Sequence, residues 1–330
     1  FNPLRGVERG RRHLAASWMI SALRKMWPDF WGPRLEHILR SSLLTLLEAG
    51  GSTLLDLPRL LTDPAFRRST LRRVDDPYLR AFWLREFEGM EPRRRSEAIW
   101  PILDKVGALL SSPHLRNVLG QPESAFSLRE VMDGGKVLIA NLSKGIIGED
   151  GCWLLGSMLV TGIQLAALGR AELPEGERRP FHLYVDEVHN FPTLSLSDIL
   201  SEARKYGLCL VLSHQYVGQL DERVRAAILG NVGTIICFRL GAEDARALAG
   251  EFRPVFDEED LMNLPNRHMR LKLMIDGEVS RPFSAVVLPP PKRDGSHREE
   301  VIRLSRERYA RPRDEVEVEM RRRYGLRRAG

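Results

Sequence analysis

The feature of this 330-residue chain that most restricts its fold is a set of short, continuous apolar runs between residues 136 and 238. Turn-forming or polar residues bound each run, and segments with helical periodicity separate successive runs. Such runs are typical of strands that are buried on both faces. Their alternation with helices predicts βαβ units, and hence an α/β fold with a mainly parallel sheet. The runs are Lys136–Leu142, Phe181–Val185, Leu208–Leu212 and Val232–Phe238.

The remaining segments have other patterns. Apolar residues recur at helical spacing over residues 9–126, which predicts an all-helical segment there. The core is expected over residues 127–288 and closes with a hairpin that turns at Asp276-Gly277. A proline-rich linker and a charged helical tail are predicted for residues 289–330.

Composition excludes several classes of protein. The chain is 43% hydrophobic and 28% charged, which is ordinary globular composition and unlike that of a disordered chain. Its three cysteines form no CxxC pair, so neither a zinc site nor a disulfide framework is indicated. No run approaches the ~20 apolar residues that span a bilayer, and no transmembrane segment is predicted. The formal net charge is +6.

The strongest functional motif is the apolar run FHLYV followed by Asp186 and Glu187, which is typical of a Walker B strand. A buried strand of an open α/β sheet delivers its last residues to the edge where ligands bind. Asp186 is predicted to hold Mg²⁺ beside bound ATP, and Glu187 to act as the general base for the attacking water. The alternative is a core strand that ends in two solvated acids.

The next apolar run ends in Ser213-His214-Gln215. A neutral amide at the tip of a neighbouring strand can hydrogen-bond both a nucleophilic water and a phosphate oxygen, so Gln215 is predicted to be a γ-phosphate sensor. The histidines of the chain have no metal-binding spacing, and no transition-metal site is expected.

These motifs lie in a longer sequence that resembles the TraG/TraD-like conjugative DNA-transfer ATPases, relatives of the type IV coupling proteins in the HerA–FtsK class of P-loop motors. The resemblance runs over most of residues 1–288 and is carried by FNPL, VLIANLSKGIIGED, DEVHNF, LSEARKYGL, LVLSHQYVGQL, ILGNVGTIICFRLGAEDA and PVFDEEDLMNLPN. It implies a RecA-like P-loop NTPase core and a homo-hexameric ring that moves DNA with ATP. In that core, residues 1–8 would be the end of an upstream core segment and residues 9–126 an all-helical insertion domain. It also implies relaxosome or secretion-channel partners, and a place in the bacterial cytoplasm or at the cytoplasmic face of the inner membrane.

The resemblance also assigns residues. Asp186 and Glu187 match the Walker B pair, Gln215 matches the motif-III glutamine, and Arg204 falls where the family places an arginine finger that acts in trans. The alternative for Arg204 is an exposed helical arginine. Arg239 is a second finger candidate, with an ion pair to Glu243 or Asp244 as its alternative. Candidate DNA contacts, each of which could equally be a plain connector residue, are Lys144 in the loop 143–148 and His189 and Asn190 in the loop 189–197.

The chain departs from the family pattern in one respect, because it contains no GxxxxGK[ST] phosphate-binding loop. The only Gly-Lys pair, Gly135-Lys136, leads into a predicted strand instead of a helix. We expect the Walker A loop to lie upstream of Phe1 and the chain by itself to be inactive. The rival explanation is an ATPase that has lost the loop.

Two other functions are consistent with parts of the sequence. A non-hydrolysing DNA-binding or scaffold subunit would need no phosphate-binding loop, but it would not need the acid pair either. A DExH helicase would use DEVH as its box, yet the Ser-Ala-Thr motif and the arginine motif of that class are missing.

Overall fold

We describe the chain from a computed structural model. It describes residues 1–27, 29, 31–191, 199–200, 202–291 and 295–324. The chain divides into two compact units, of which the first comprises residues 1–181 with 300–330 and the second residues 182–299.

Helices form the first unit, as the apolar spacing over residues 9–126 predicts. A π-helical segment, Phe82–Phe87, follows the fifth of them. The helices are α1 Arg12–Met26, α2 Pro33–Ala49, α3 Asp56–Thr62, α4 Pro64–Leu71, α5 Pro77–Ala81, α6 Pro92–Ser111, α7 Pro113–Leu119, α8 Leu128–Asp133 and α9 Lys144–Gly169.

Local sequence sets several of the helix starts. The Asp63 carboxylate accepts hydrogen bonds from the backbone of Ala65 and Phe66, and Asp76 caps α5 in the same way. Both helices have proline at the first helical position, where no hydrogen-bond donor is required. The bonded amides lower the pKa of Asp63, because they favour its ionised form.

Leucine and aromatic side chains form the core of this unit. Trp83 and Phe87 are fully buried, and their rings pack edge to face 4.8 Å apart. The Trp83 indole donates to Thr45 Oγ1 at 2.8 Å, so the one polar atom of the ring is satisfied. Arg67, only 3% exposed, lies over both rings and donates to the Leu60 carbonyl.

The prediction of a strand over 136–142 is wrong for this structure. The segment is assigned to neither a strand nor a helix, and it pairs with no strand among the described residues. Val137 and Ile139 are 88% and 80% exposed. A strand requires a neighbour to satisfy its backbone groups, and none of the described elements supplies one here.

The helix that follows, α9, begins within the predicted loop 143–148. Its first residue is Lys144 and its N-cap is Ser143, so the predicted loop forms the first turn of a helix that kinks at Gly148. By length and hydropathy alone, Lys144–Glu172 could cross a membrane. However, 67% of its most apolar window is buried inside the protein, as in the core helix of a soluble domain.

Two tail helices follow the proline-rich segment, α13 Arg298–Tyr309 and α14 Arg313–Arg323. α14 packs into the first unit through Val316 and Met320, which are 3% and 7% exposed. The Arg323 guanidinium pairs with the fully buried Asp56 carboxylate at 2.5 Å. The tail is therefore part of the packed unit.

Short strands and helices form the second unit. The strands are β1 Phe181–Val185, β2 Leu208–Leu212, β3 Ile235–Cys237, β4 His268–Lys272, β5 Met274–Ile275, β6 Glu278–Val279 and β7 Phe283–Val286. The helices are α10 Glu222–Asn231, α11 Ala242–Phe252 and α12 Glu258–Met262.

Only β1 and β2 form a parallel pair among the described strands. β3 pairs antiparallel with β4, and β4 with β7, so the expectation of a mainly parallel sheet is not met here. The predicted hairpin is present, because β5 and β6 turn at Asp276-Gly277, two residues that both have positive φ. Beside these strands, a small core contains Cys237, Phe252 and Leu261.

Candidate functional site

The candidate site lies where β1 ends. The Ser213 backbone N–H donates to the Val185 carbonyl at 3.0 Å, and its own carbonyl accepts from Val188 N–H at 2.9 Å. A regular parallel ladder would make the second bond to residue 187, so one extra residue is inserted at this point. Glu187 lies at this insertion, and its backbone is left-handed, with φ 51° and ψ 53°.

The Asp186 carboxylate is fixed on one side and open on the other. Its Oδ1 accepts from Ser213 Oγ at 2.5 Å and from the Glu187 N–H at 3.1 Å. The described residues make no hydrogen bond to Oδ2, and the side chain is exposed. A preoriented carboxylate with a free oxygen is the donor that Mg²⁺ prefers, so this residue fits the predicted ion.

The Glu187 carboxylate lies between an amide and an imidazole. Gln215 Nε2 donates to Oε1 at 2.7 Å, and His189 Nδ1 lies 3.3 Å from Oε2. Glu187 and His189 keep 34% and 21% of their side-chain surface exposed, but these two facing atoms are buried. In the described part of the chain, neither carboxylate of the acid pair forms an ion pair with lysine or arginine.

Arg204 lies away from the acid pair. It belongs to a 3₁₀ turn, Ala203–Tyr206, that precedes β2, and its side chain is exposed. Asp186 follows β1, so the two residues lie at opposite ends of a parallel pair. The length of β2 alone separates these ends by about 17 Å. Within one chain, Arg204 therefore does not reach the Asp186 site.

The other candidates are placed as follows. Arg239 follows β3 and is exposed. In the described residues it forms no ion pair with Glu243 or Asp244. The Asp244 carboxylate instead accepts a hydrogen bond from the Val217 N–H. Lys144 Nζ donates to Glu149 Oε1 at 2.9 Å. Asn190 lies half-buried in the 3₁₀ turn Val188–Asn190.

Most of the predicted DNA-contact loop 189–197 lies outside the described residues. Its first residue, His189, contacts the acid pair, a neighbour that the DNA-contact prediction did not foresee. No cluster of three or more His, Cys, Asp or Glu able to hold a metal occurs in the part of the chain that the structure describes.

Sequence reasoning missed two parts of this site, namely the Ser213 hydroxyl and the contact of His189 with Glu187. The first had a signal, because Ser213 precedes Gln215 by two residues and so lies on the same side of an extended chain. The second had none, since it depends on the left-handed turn at Glu187.

Comparisons with known proteins give a family match for one segment of the chain and a similar fold for most of it. Residues 180–251, which contain the acid pair, Arg204 and Gln215, match the family model TraG-D_C, described as the TraM recognition site of TraD and TraG. The fold is similar to that of the plasmid coupling protein TrwB in complex with ADP and Mg²⁺, with a TM-score of 0.62 at 16% identity. The match covers 90% of this chain and 72% of that one.

Two further TrwB structures agree. TrwB with the non-hydrolysable ATP analogue ADPNP gives a TM-score of 0.58 at 17% identity, covering 87% of this chain and 70% of that one. The unbound conjugative coupling protein TrwBdeltaN70 gives a TM-score of 0.57 at 17% identity, and the match covers 84% of this chain and 69% of that one. No curated protein sequence matches this chain significantly. The TraG/TraD-like resemblance and the RecA-type fold predicted from the sequence are thereby confirmed.

Proposed function

We propose that this chain is the catalytic and helical part of an ATP-driven DNA translocase of the conjugative coupling kind, which works as a ring in the bacterial cytoplasm or at the inner membrane. The observation that carries the proposal is the convergence of Asp186, Glu187 and Gln215 at one end of the β1–β2 pair. The TrwB structures with ADP and Mg²⁺ and with ADPNP support nucleotide binding by this fold.

Each residue has a separate task in the proposed reaction. Asp186, held by Ser213, would bind Mg²⁺ through Oδ2. Glu187 takes the proton of a water molecule as that water attacks the terminal phosphoryl group, and Gln215 orients the same water through its amide. Bound ATP supplies the phosphoryl group, and Mg²⁺ balances its charge.

Phosphate binding requires a further element. The described residues contain no GxxxxGK[ST] loop, and we propose that polypeptide preceding Phe1 contributes it. Reading the coding sequence upstream of Phe1 tests this point. An in-frame GxxxxGK[ST] supports the motor, and an in-frame start or stop supports the scaffold alternative, which the missing loop favours.

The full-length protein tests the proposed reaction. We expect DNA-stimulated ATP hydrolysis that Glu187→Gln lowers by at least about a hundredfold, because an amide cannot accept the proton. ATP binding should survive, since the amide keeps the shape of the side chain. Turnover is measured by phosphate release and binding by a fluorescent ATP analogue.

A matched control separates loss of the base from general damage. Glu222→Gln makes the same chemical change at an exposed position in the first turn of α10, and we expect turnover like that of the wild type. Undiminished turnover in Glu187→Gln would rule out Glu187 as the base. Absence of turnover in the wild type with an intact upstream loop would favour the scaffold subunit.

A further inference from the structure

The imidazole of His189 faces the oxygen of Glu187 that Gln215 leaves unbonded. His189 Nδ1 lies 3.3 Å from Glu187 Oε2, and both atoms are buried without a hydrogen bond in the described part of the chain. Burying polar atoms without partners is unfavourable. At this separation a small rotation of the ring lets an Nδ1–H donate to Oε2, so each atom is the natural partner of the other.

The two oxygens of Glu187 therefore have different surroundings. Oε2 is sealed beside His189, whereas Oε1 takes part in an exposed hydrogen bond with Gln215. Solvent has access to the carboxylate only on the Oε1 side. A base whose two oxygens are distinguished in this way accepts a proton from one direction only.

We infer that His189 is a positioning residue for the reaction proposed above. It holds Oε2 through an Nδ1–H donor, and Oε1 alone is left to meet the water that Gln215 orients. The inference rests on the proposed function, because positioning matters only if Glu187 is the base. It assigns His189 to the hydrolytic site and not to the DNA-contact loop.

The left-handed backbone of Glu187 explains why its side chain needs the contact with His189. A non-glycine residue keeps a left-handed backbone only where surrounding groups hold it in place. Gln215 and His189 hold the carboxylate from two sides, and removal of either lets it rotate away from the water. Loss of orientation lowers the rate of the chemical step more than it lowers substrate binding.

Kinetics of the full-length protein test the role. We expect His189→Ala to lower kcat about tenfold, with KM for ATP changed less than about twofold. His189→Asn places an amide donor close to the position of Nδ1, and it should restore most of the lost kcat. His182→Ala is the control, because this exposed histidine lies on β1 and makes no contact with the acid pair.

A spectroscopic measurement on the chain itself tests the contact without turnover. In protein labelled with ¹⁵N-histidine at pH 8, His189 should carry its proton on Nδ1, and Glu187→Ala should abolish that preference while His182 is unchanged. A proton on Nε2 that is insensitive to Glu187→Ala would overturn the inference.

The outcomes separate the two proposals. Suppose that Glu187→Gln is inactive. The positioning role is then wrong if His189→Ala is as fast as the wild type, or if His189→Asn is as slow as His189→Ala. In either case the motor proposal stands. If Glu187→Gln turns over ATP normally, Glu187 is not the base, and the positioning role of His189 fails with that assignment. If the wild type with an intact upstream loop does not turn over ATP, the motor proposal itself fails.

Discussion

Glu187 has a backbone that L-amino acids rarely adopt. Its left-handed conformation follows from the extra residue at the end of β1, and no glycine occupies the position. A glycine would fit this backbone without strain, but it has no carboxylate. The strain is therefore located at the residue to which we assign proton transfer, as is common at functional sites.

The strain predicts an order of stability among variants. Glu187→Ala and Glu187→Gly both remove the carboxylate, but only glycine relieves the backbone. We expect Glu187→Gly to be more stable than Glu187→Ala by about 1 kcal/mol. Urea unfolding of the two variants gives the difference, and a less stable glycine variant would contradict the left-handed assignment.

Cys237 offers a test of burial at the residue scale. Desolvation, and then the nearby Asp244 carboxylate, raise the pKa of this thiol from 9.0 to about 12. The folded state therefore binds the proton more tightly, and stability should fall as pH rises from 9 towards 12. At pH 8, iodoacetamide should label Cys237 far more slowly than the half-buried Cys209. Mass spectrometry measures the two labelling rates. Equal rates for Cys237 and Cys209 would show that the core around Cys237 opens readily.

At the scale of elements, the sequence predicts helices and the acid site better than the sheet. Helical spacing and caps such as Asp63 are local, and so they can be recognised without knowing the fold. Strand pairing is not local, and the run 136–142 has strand composition but no partner among the described residues. The docking of α14 was also missed, because only Val316 and Met320 are apolar on its packed side.

Packing of α14 depends on a close approach to Gly120. A Cβ at this position would lie 2.8 Å from Met320 Sδ, 2.9 Å from Leu55 Cδ2 and 2.6 Å from the Arg116 carbonyl oxygen. We expect Gly120→Ala to destabilise the protein by about 1–3 kcal/mol, because the helix must shift.

Gly107 provides the matched control for this substitution. It lies exposed within α6, and a Cβ there meets nothing within 4 Å. Gly107→Ala should stabilise the protein by about 0.5–1 kcal/mol through helix propensity. Thermal and urea unfolding followed by circular dichroism measure both, and equal effects would argue against the close approach.

At the scale of the whole molecule, the position of Arg204 bears on the proposed ring. Arg204 lies at the opposite end of the β1–β2 pair from Asp186, so the proposed finger would act on the site of another copy. This arrangement suits the proposed ring, in which each interface joins the acid pair of one subunit to Arg204 of its neighbour.

Mixed rings test that arrangement. Arg204→Ala and Glu187→Gln full-length proteins should each lose turnover, Arg204→Ala by on the order of a thousandfold. Mixing them creates interfaces with an intact Glu187 and an intact Arg204, so part of the ATPase activity should return. Arg246→Ala, which removes an exposed arginine in α11, is the control. This variant should keep wild-type turnover by itself. Lack of recovery in rings shown to be mixed would remove Arg204 from the site.

The buried ion pair between Asp56 and Arg323 joins residues 267 positions apart in the chain. During synthesis the ribosome completes α3 long before it reaches α14. Until Arg323 emerges, the Asp56 carboxylate can bond to the Thr53 N–H and hydroxyl but lacks this cation. A first unit with its buried charge balanced therefore requires translation to have reached α14.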